Sequence, residues 1–256
     1  MFSSSFILSP LSQFEVNSLI GFNAPILGFF NLSLTNLGLY TLFTLLVILG
    51  VHIYGNNDSK LIPSKWSIAF ESSFQSLGTM VRDQIGSLNE IYLPFIYAIF
   101  WYVLIGNLIS NVPYSFAVNA SAIVTLGFSV TIFMGVTILS LYIHKLKFFS
   151  YFIPSGTPLA LVPLIVLIEL VSYFARAISL GVRLFANLTA GHTLLKILST
   201  FLYKLFSSSI IVAILTIIPF TIFVGLIGLE IAVSFIQSFV LTLLVCSYLK
   251  DAIDLH

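Results

Sequence analysis

Ionisable side chains interrupt a long apolar segment in the last third of this chain of 256 residues. Glu169, Arg176 and Arg183 are seven residues apart, nearly two helical turns, so a helix would place them on one stripe. Asn187 lies one turn beyond Arg183 on that stripe, whereas His192 would point to nearly the opposite side. An arginine at mid-membrane costs about 2.5–3.5 kcal/mol on insertion scales, so groups of this kind are expected to have a partner or a function.

A second apolar segment carries its own polar stripe. Glu230, Ser234 and Gln237 follow each other at steps of four and three residues, and Asp251 lies near the end of the segment.

One interpretation is that the polar groups of both segments pair with each other and only fix helix packing. The other is a path for protons, because histidine, with an unperturbed pKa of about 6.5, exchanges protons with a carboxylate near neutral pH. An arginine stays charged and would act there as a barrier or counter-charge. The number of costly groups favours the path.

The composition of the chain excludes several protein classes. Hydrophobic residues make up 59% of the chain and charged residues 7%, whereas soluble domains carry about 25% charged residues, so an isolated soluble protein is excluded. The net charge of +1 argues against nucleic-acid binding. The single cysteine excludes an internal disulfide and a cysteine-based zinc site. Since a phosphate-binding loop motif is also missing, we expect no metal, no cofactor and no nucleotide chemistry in this chain.

Runs without Asp, Glu, Lys or Arg indicate membrane-crossing helices, which need about 20 apolar residues. These runs are 16–57, 91–143, 148–168 and 205–229. The alternating strands of a barrel are absent, and lipid leaves a helix as the other way to pair every backbone group. We therefore predict an all-α integral membrane protein with about five crossing helices, in a single domain over 1–256. Its predicted parts are an N-terminal segment at 1–34, a first span at 35–54, an amphipathic interfacial helix at 63–90, a helical hairpin at 91–143 and two long helices within 159–250.

Two parts of this layout leave alternatives open. The helix at 63–90 would lie at the membrane interface or against a partner, because apolar residues recur in it at three- and four-residue steps with charges between them. The segments 159–197 and 208–250 would be about 58 Å and 64 Å long as single helices, about twice the hydrocarbon thickness. Each is then either one steeply tilted helix or two shorter spans.

The distribution of basic residues predicts the orientation of the chain. With five spans, six of the ten basic residues fall in regions on one side of the membrane: Lys60, Lys65, Arg82, Lys145, Lys147 and Lys250. By the positive-inside rule the N-terminus is then outside and the C-terminus inside. The first 15 residues have neither a basic signal region nor the arginines of an import presequence, which fits synthesis on the same side as the target membrane.

The stretch SYFARAISLGVRLFANLTAGH, residues 172–192, closely resembles subunit a of F-type ATP synthases. The resemblance extends over nearly the whole chain, through SPLSQFEV (9–16), NLISNVPYSFAV (107–118), GTPLALVPLIVLIEL (156–170) and SYLKDAIDLH (247–256). These segments are similar to the mitochondrial, especially the fungal, form of the subunit. The order of His192 before Glu230 also indicates the mitochondrial form. The resemblance also suggests a short leader at 1–8, removed between Leu8 and Ser9.

The resemblance implies a function and roles for the polar residues. Such a subunit stands in the mitochondrial inner membrane beside a rotating ring of c subunits and offers two half-channels that do not meet. Arg183 matches the essential arginine of the family, and Glu169 matches the acid of the matrix-side exit. The expected path from the intermembrane space consists of Asn187, His192, Glu230, Gln237 and, as an extension, Asp251. Arg176 and Ser234 would have supporting roles.

The resemblance further implies the partners and the membrane geometry. The two long helices would form a tilted hairpin against the c-ring, with the N-terminus in the intermembrane space and the C-terminus in the matrix. The other expected partners are the peripheral stalk, small membrane subunits and the lipid bilayer. Two other classes compete with this interpretation: a self-standing secondary transporter, which usually shows paired halves, and a structural membrane subunit without conduction. The chain shows no such halves, and its polar stripes argue against the structural class.

Overall fold

The computed structural model describes residues 10–26, 30–55, 64–112, 115–153, 161–208 and 210–253. These residues form mainly helices: α1 Asn36–Gly55, α2 Lys65–Ile85, α3 Leu93–Ser110, α4 Ala122–His144, α5 Val162–Phe206, α6 Ile210–Leu215 and α7 Ile217–Ile253. Within the described ranges, α1, α3, α4, α5 and α7 belong to the five segments that are long and apolar enough to cross a membrane. The prediction of an all-α membrane protein with five crossings is confirmed.

The chain is divided into two compact units. One consists of the described residues up to Leu49 together with Tyr102–Ser121 and Phe185–Ile236. The other consists of Gly50–Trp101, Ala122–Leu184 and the described residues from Gln237 onward. The long helices α5 and α7 contribute residues to both units.

A β-hairpin precedes α1, and no sequence pattern predicted it. Strand β1 (Ser18–Ile26) pairs antiparallel with β2 (Phe30–Thr35). Asn36 ties this N-terminal part to the start of α1, because its side-chain amide donates to the Glu15 carbonyl at 3.1 Å and its Oδ1 accepts from the Asn17 N–H at 3.2 Å. The predicted leader 1–8 lies outside the described residues.

Helix α2 covers the middle of the predicted amphipathic helix and ends earlier. The Ser64 hydroxyl caps its start by accepting from the Ser67 N–H at 3.3 Å. Its end lies at Gly86, whose φ of 92° suits glycine, and a 3₁₀ turn at Ser87–Tyr92 follows. The apolar stripe is buried at Leu77, Val81 and Ile85. The first predicted residue, position 63, is not among the described residues.

The turn between α3 and α4 is held by polar side chains. The Asn119 amide donates to Asn107 Oδ1 at 2.8 Å, and these two residues are 2% and 1% exposed. The Ser115 hydroxyl donates to the Ile109 carbonyl at 2.6 Å, which satisfies a carbonyl at the end of α3. Buried polar side chains such as those of Asn107 and Asn119 need hydrogen-bond partners, because they are removed from water.

Each of the two long segments is dominated by one continuous helix. Helix α5 has 45 residues and α7 has 37, so the alternative of two shorter spans is wrong for both. The second segment starts with the short α6, which ends at Leu215. Pro219 explains this break, because it has no N–H for the carbonyl four residues before it.

Gly181 allows α5 to approach α4 closely, and we predict that an added methyl group separates the two helices. A Cβ at this position would lie 2.7 Å from Ser129 Oγ and 2.9 Å from the Thr125 carbonyl oxygen. Gly181→Ala should therefore lower the free energy of unfolding by about 1–3 kcal/mol, as overpacking does. The measurement is the thermal denaturation midpoint of the protein in detergent.

The control is Gly127→Ala on α4, where an added Cβ has nothing within 4 Å. Equal denaturation midpoints for the two variants would show that a methyl group at Gly181 does not destabilise the contact between α5 and α4.

Candidate functional site

One group of functional side chains centres on His192 of α5 and Glu230 of α7. Nδ1 of the histidine lies 3.7 Å from Oε1 of the carboxylate, and the two side chains are 14% and 10% exposed. This distance exceeds that of a hydrogen bond. Among the described residues, neither His192 Nε2 nor Glu230 Oε1 has a hydrogen-bond partner. The structure therefore brings together the two titratable groups expected on the proton path, and leaves both able to bind water or a proton.

The pair lies in the wall of a cavity of about 910 Å³. Helices α1, α3, α5 and α7 and the segment before β1 all contribute to its lining. The polar lining residues besides the pair are Gln13, Asn36, Tyr40, Ser110, Asn111, Ser115, Lys196 and Ser199. A cavity of this size with convergent polar groups has room and hydrogen-bonding partners for water, and the acid–base pair lies at its edge. We call it the polar cavity.

The local sequence explains how α5 and α7 meet at this pair. A Cβ on Gly191 would lie 2.8 Å from Glu230 Oε1, so the glycine beside His192 makes room for the carboxylate. One turn after Glu230, the Ser234 hydroxyl donates to the Glu230 carbonyl at 2.9 Å and accepts from the Asn111 amide at 3.2 Å. Glu230, Ser234 and Gln237 are all buried, as expected of one helix stripe.

A second group of charged side chains centres on Arg176 of α5. Its Nη1 donates to Asp251 Oδ2 at 2.9 Å and to the Tyr151 hydroxyl at 3.1 Å, and its Nη2 lies 3.8 Å from Glu169 Oε1. The Tyr248 hydroxyl donates to the Arg176 carbonyl at 3.4 Å. The three charged side chains are about one third exposed. We call these residues the arginine cluster.

Asp251 lies in the arginine cluster, not beside His192 and Glu230. Asp251 was expected to extend the path of His192 and Glu230, but it binds Arg176 and thereby joins Glu169. The reason lies in the length of α7: Asp251 follows Glu230 by 21 residues of continuous helix, nearly six turns. Asp251 therefore lies at a different position along the axis of α7 from Glu230.

Arg183 and Asn187 have exposed positions on α5. Arg183 lies at the middle of the 45-residue helix, and within the described part of the chain it forms no ion pair with an acidic side chain. Neighbouring apolar residues such as Val182 and Ile178 are exposed as well. A permanent charge on an apolar outward face of a membrane helix indicates contact with another molecule, because lipid alone would not stabilise it.

Sequence reasoning missed several residues around both groups. Lys196 lines the polar cavity four residues after His192, so helix periodicity could have indicated it. Tyr151 and Tyr248 bind Arg176 from a 3₁₀ turn and from α7, and their spacing in the sequence carries no such signal. The same holds for Gln13 and Asn111, which reach the cavity from segments far from α5 in sequence.

Comparison with known proteins gives consistent matches over almost the whole chain. The family model of the ATP synthase A chain matches residues 38–250. The chain is 64% identical to ATP synthase subunit a of Mycosarcoma maydis over 250 residues, 98% of each chain. It is 48% identical to ATP synthase subunit a of Emericella nidulans over 257 residues, 100% of each chain. The same-named protein of Kluyveromyces lactis is 47% identical over 252 residues, 98% of each chain.

We predict that the pair of Arg176 and Asp251 stabilises the fold. Asp251→Asn leaves the guanidinium, which is one third exposed, without its closest carboxylate, and the expected loss is about 1–2 kcal/mol. The double variant Arg176→Gln with Asp251→Asn should lose less than the sum of the single variants. The thermal denaturation midpoint of each purified variant measures this coupling.

The matched control is the ion pair of Arg82 and Glu90, whose side chains are 61% and 42% exposed. Glu90→Gln should change the midpoint less than Asp251→Asn, because solvent screens exposed pairs. Additive losses in the double variant at Arg176 and Asp251 would argue against the coupling.

Proposed function

Since this chain belongs to the ATP synthase A chain family, we propose that it is the stationary subunit against which the c-ring of the complex turns. As a member of the family it is a proton-conducting subunit of the membrane sector of an F-type ATP synthase and a multi-pass protein of the mitochondrial inner membrane. The family assignment favours this function over a self-standing transporter or a structural subunit. The peripheral stalk and small membrane subunits are its further proposed partners.

The polar cavity with His192 and Glu230 is the proposed half-channel from the intermembrane space. Three observations support it: hydroxyl and amide groups form part of the cavity lining, the acid and the base lie 3.7 Å apart, and both side chains are mostly shielded from solvent. A histidine beside a carboxylate can take a proton from water and pass it on at neutral pH. Asn187 and Gln237, on the same two helices, would continue this path toward the ring.

Arg183 is the proposed partner of the c-ring carboxylate. Its exposed guanidinium at the middle of α5 is the single observation that carries this proposal. A ring carboxylate passing this face would be held ionised by a permanent cation in a medium of low dielectric constant. Because guanidinium does not release its proton, it would also separate the two half-channels.

The arginine cluster is the proposed exit side. Glu169 would accept protons from the ring. Asp251 would act on the same side, because it binds the same guanidinium as Glu169. Arg176 would orient both carboxylates. None of the residues of the arginine cluster lines the polar cavity, which supports two separate paths.

The distribution of basic residues supports an N-terminus in the intermembrane space and a C-terminus in the matrix. This orientation predicts that Ser18→Cys and Lys250→Cys, both at exposed positions, react with an impermeant thiol reagent from opposite sides of the membrane. A Cys246→Ser background removes the single native thiol. Labelling of both positions from one side would contradict five crossings.

We predict that Arg183→Lys impairs proton-coupled ATP synthesis nearly as strongly as Arg183→Ala. An ammonium group can lose its proton in a low-dielectric contact, whereas guanidinium cannot. Arg183→Ala should in addition let protons leak across the membrane, because the fixed cation is gone. The measurements are ATP synthesis and passive proton flux in vesicles that contain the assembled complex.

Arg176→Lys is the control, because a lysine can still contact the two carboxylates of the arginine cluster. It should retain more synthesis than Arg183→Lys. Near-normal synthesis in Arg183→Lys would reject the need for a permanent charge, and near-normal synthesis in Arg183→Ala would reject the proposed role of this residue.

We predict that His192 and Glu230 act as one unit. His192→Gln and Glu230→Gln should each slow proton conduction more than they reduce assembly, and the double variant should be no slower than the worse single variant. Thr200→Ala, which changes an exposed hydroxyl on the same helix outside the lining of the polar cavity, is the control. If the logarithms of the two single-variant losses simply added in the double variant, the two residues would act independently.

A further inference from the structure

We propose that Phe14 is a positioning residue that holds the His192 ring toward Glu230, an inference that rests on the proposed function of this pair. Phe14 belongs to the 3₁₀ turn Pro10–Phe14 before the β-hairpin. Its ring lies against the imidazole, with a centroid distance of 6.4 Å and an interplanar angle of 69°. This is the edge-to-face geometry that aromatic rings prefer.

The His192 ring needs such a support, because none of the described residues orients it through a hydrogen bond. A functional histidine is usually held by a hydrogen bond on the nitrogen that does not react. Here Nε2 is buried and has no hydrogen-bond partner in the part of the chain that the structure describes. Nδ1 faces Glu230 at 3.7 Å, too far for a hydrogen bond. A rotation of the ring would therefore break no hydrogen bond to these residues, so packing contributes to fixing its angle.

Phe14 can provide this packing because it is itself held in place. Its side chain packs against a buried cluster of Ala117, Ala120 and Leu188. Leu188 precedes His192 by one turn on α5, so the ring contacts two successive turns of the helix that carries the histidine. Phe14 thus connects the turn after α3 with the functional face of α5.

The segment around Phe14 is also tied to two helices by polar contacts. Lys196 Nζ of α5 lies 3.5 Å from Ser12 Oγ. On the other side of Phe14, the Glu15 carbonyl accepts from the side chain of Asn36 at the start of α1. Gln13 between them lines the polar cavity. The segment is therefore a fixed wall of the cavity, and Phe14 is the residue of this wall that contacts the base.

The test compares variants of Phe14 in the assembled complex in vesicles. Phe14→Leu keeps an apolar contact with the alanine and leucine cluster but removes the aromatic edge. It should lower proton-driven ATP synthesis about three- to tenfold, the range expected from losing one aromatic contact. Phe14→Tyr keeps the ring and should restore synthesis to near the parent level. Leu11→Ala, at an exposed side chain of the same segment, is the matched control and should leave synthesis unchanged.

A second comparison uses a His192→Gln background, in which Phe14→Leu should cause no further loss. An equal loss in both backgrounds, or an unchanged rate in Phe14→Leu, would overturn the positioning role while leaving the function of His192 intact. Normal synthesis in His192→Gln alone would instead reject the proposed role of the pair. If Phe14→Leu does not assemble, Phe14→Met replaces it as a flexible apolar substitute. Failure of both to assemble would show that Phe14 is structural.

Discussion

The cost of charge in a medium of low dielectric constant governs the arrangement of this protein. Each ionised group taken out of water needs a partner of opposite charge, a set of hydrogen bonds or an aqueous space. Arg176 has the first two, with two carboxylates and a tyrosine hydroxyl around its guanidinium. His192 and Glu230 have the third, because they lie at the polar cavity. Arg183 has none of these within the described residues. Its exposed side chain is therefore placed to bind a negative charge on another molecule.

Small residues make these arrangements possible. Gly181 brings α5 close to α4, and Gly191 makes room for the Glu230 carboxylate. In lipid, helices associate mainly through close packing and interhelical hydrogen bonds, since hydrophobic burial gives little advantage there. A side chain larger than hydrogen at Gly191 would displace the Glu230 carboxylate, and one at Gly181 would separate α5 from α4. Two glycines of α5 thus determine how closely this helix approaches α4 and the Glu230 carboxylate.

The sequence predicted those features that depend on neighbours along the chain. The five crossings follow from charge-free runs, and the polar stripes of α5 and α7 follow from helix periodicity. Contacts between distant segments were not predictable in this way. The contact of Asp251 with Arg176 could not be predicted, because periodicity states which face a residue occupies but not which residue of another helix it meets. The β-hairpin and Phe14 were missed because the N-terminal segment has no helical periodicity and no charge pattern.

The N-terminal wall of the polar cavity also has a consequence for the order of biosynthesis. Ser12 and Phe14 are made first, but their partners Lys196 and His192 follow more than 175 residues later. A chain still in synthesis, or one terminated early, therefore cannot complete the cavity wall. The wall of the proposed half-channel is therefore complete only after α5, and with it most of the membrane segments, has been made.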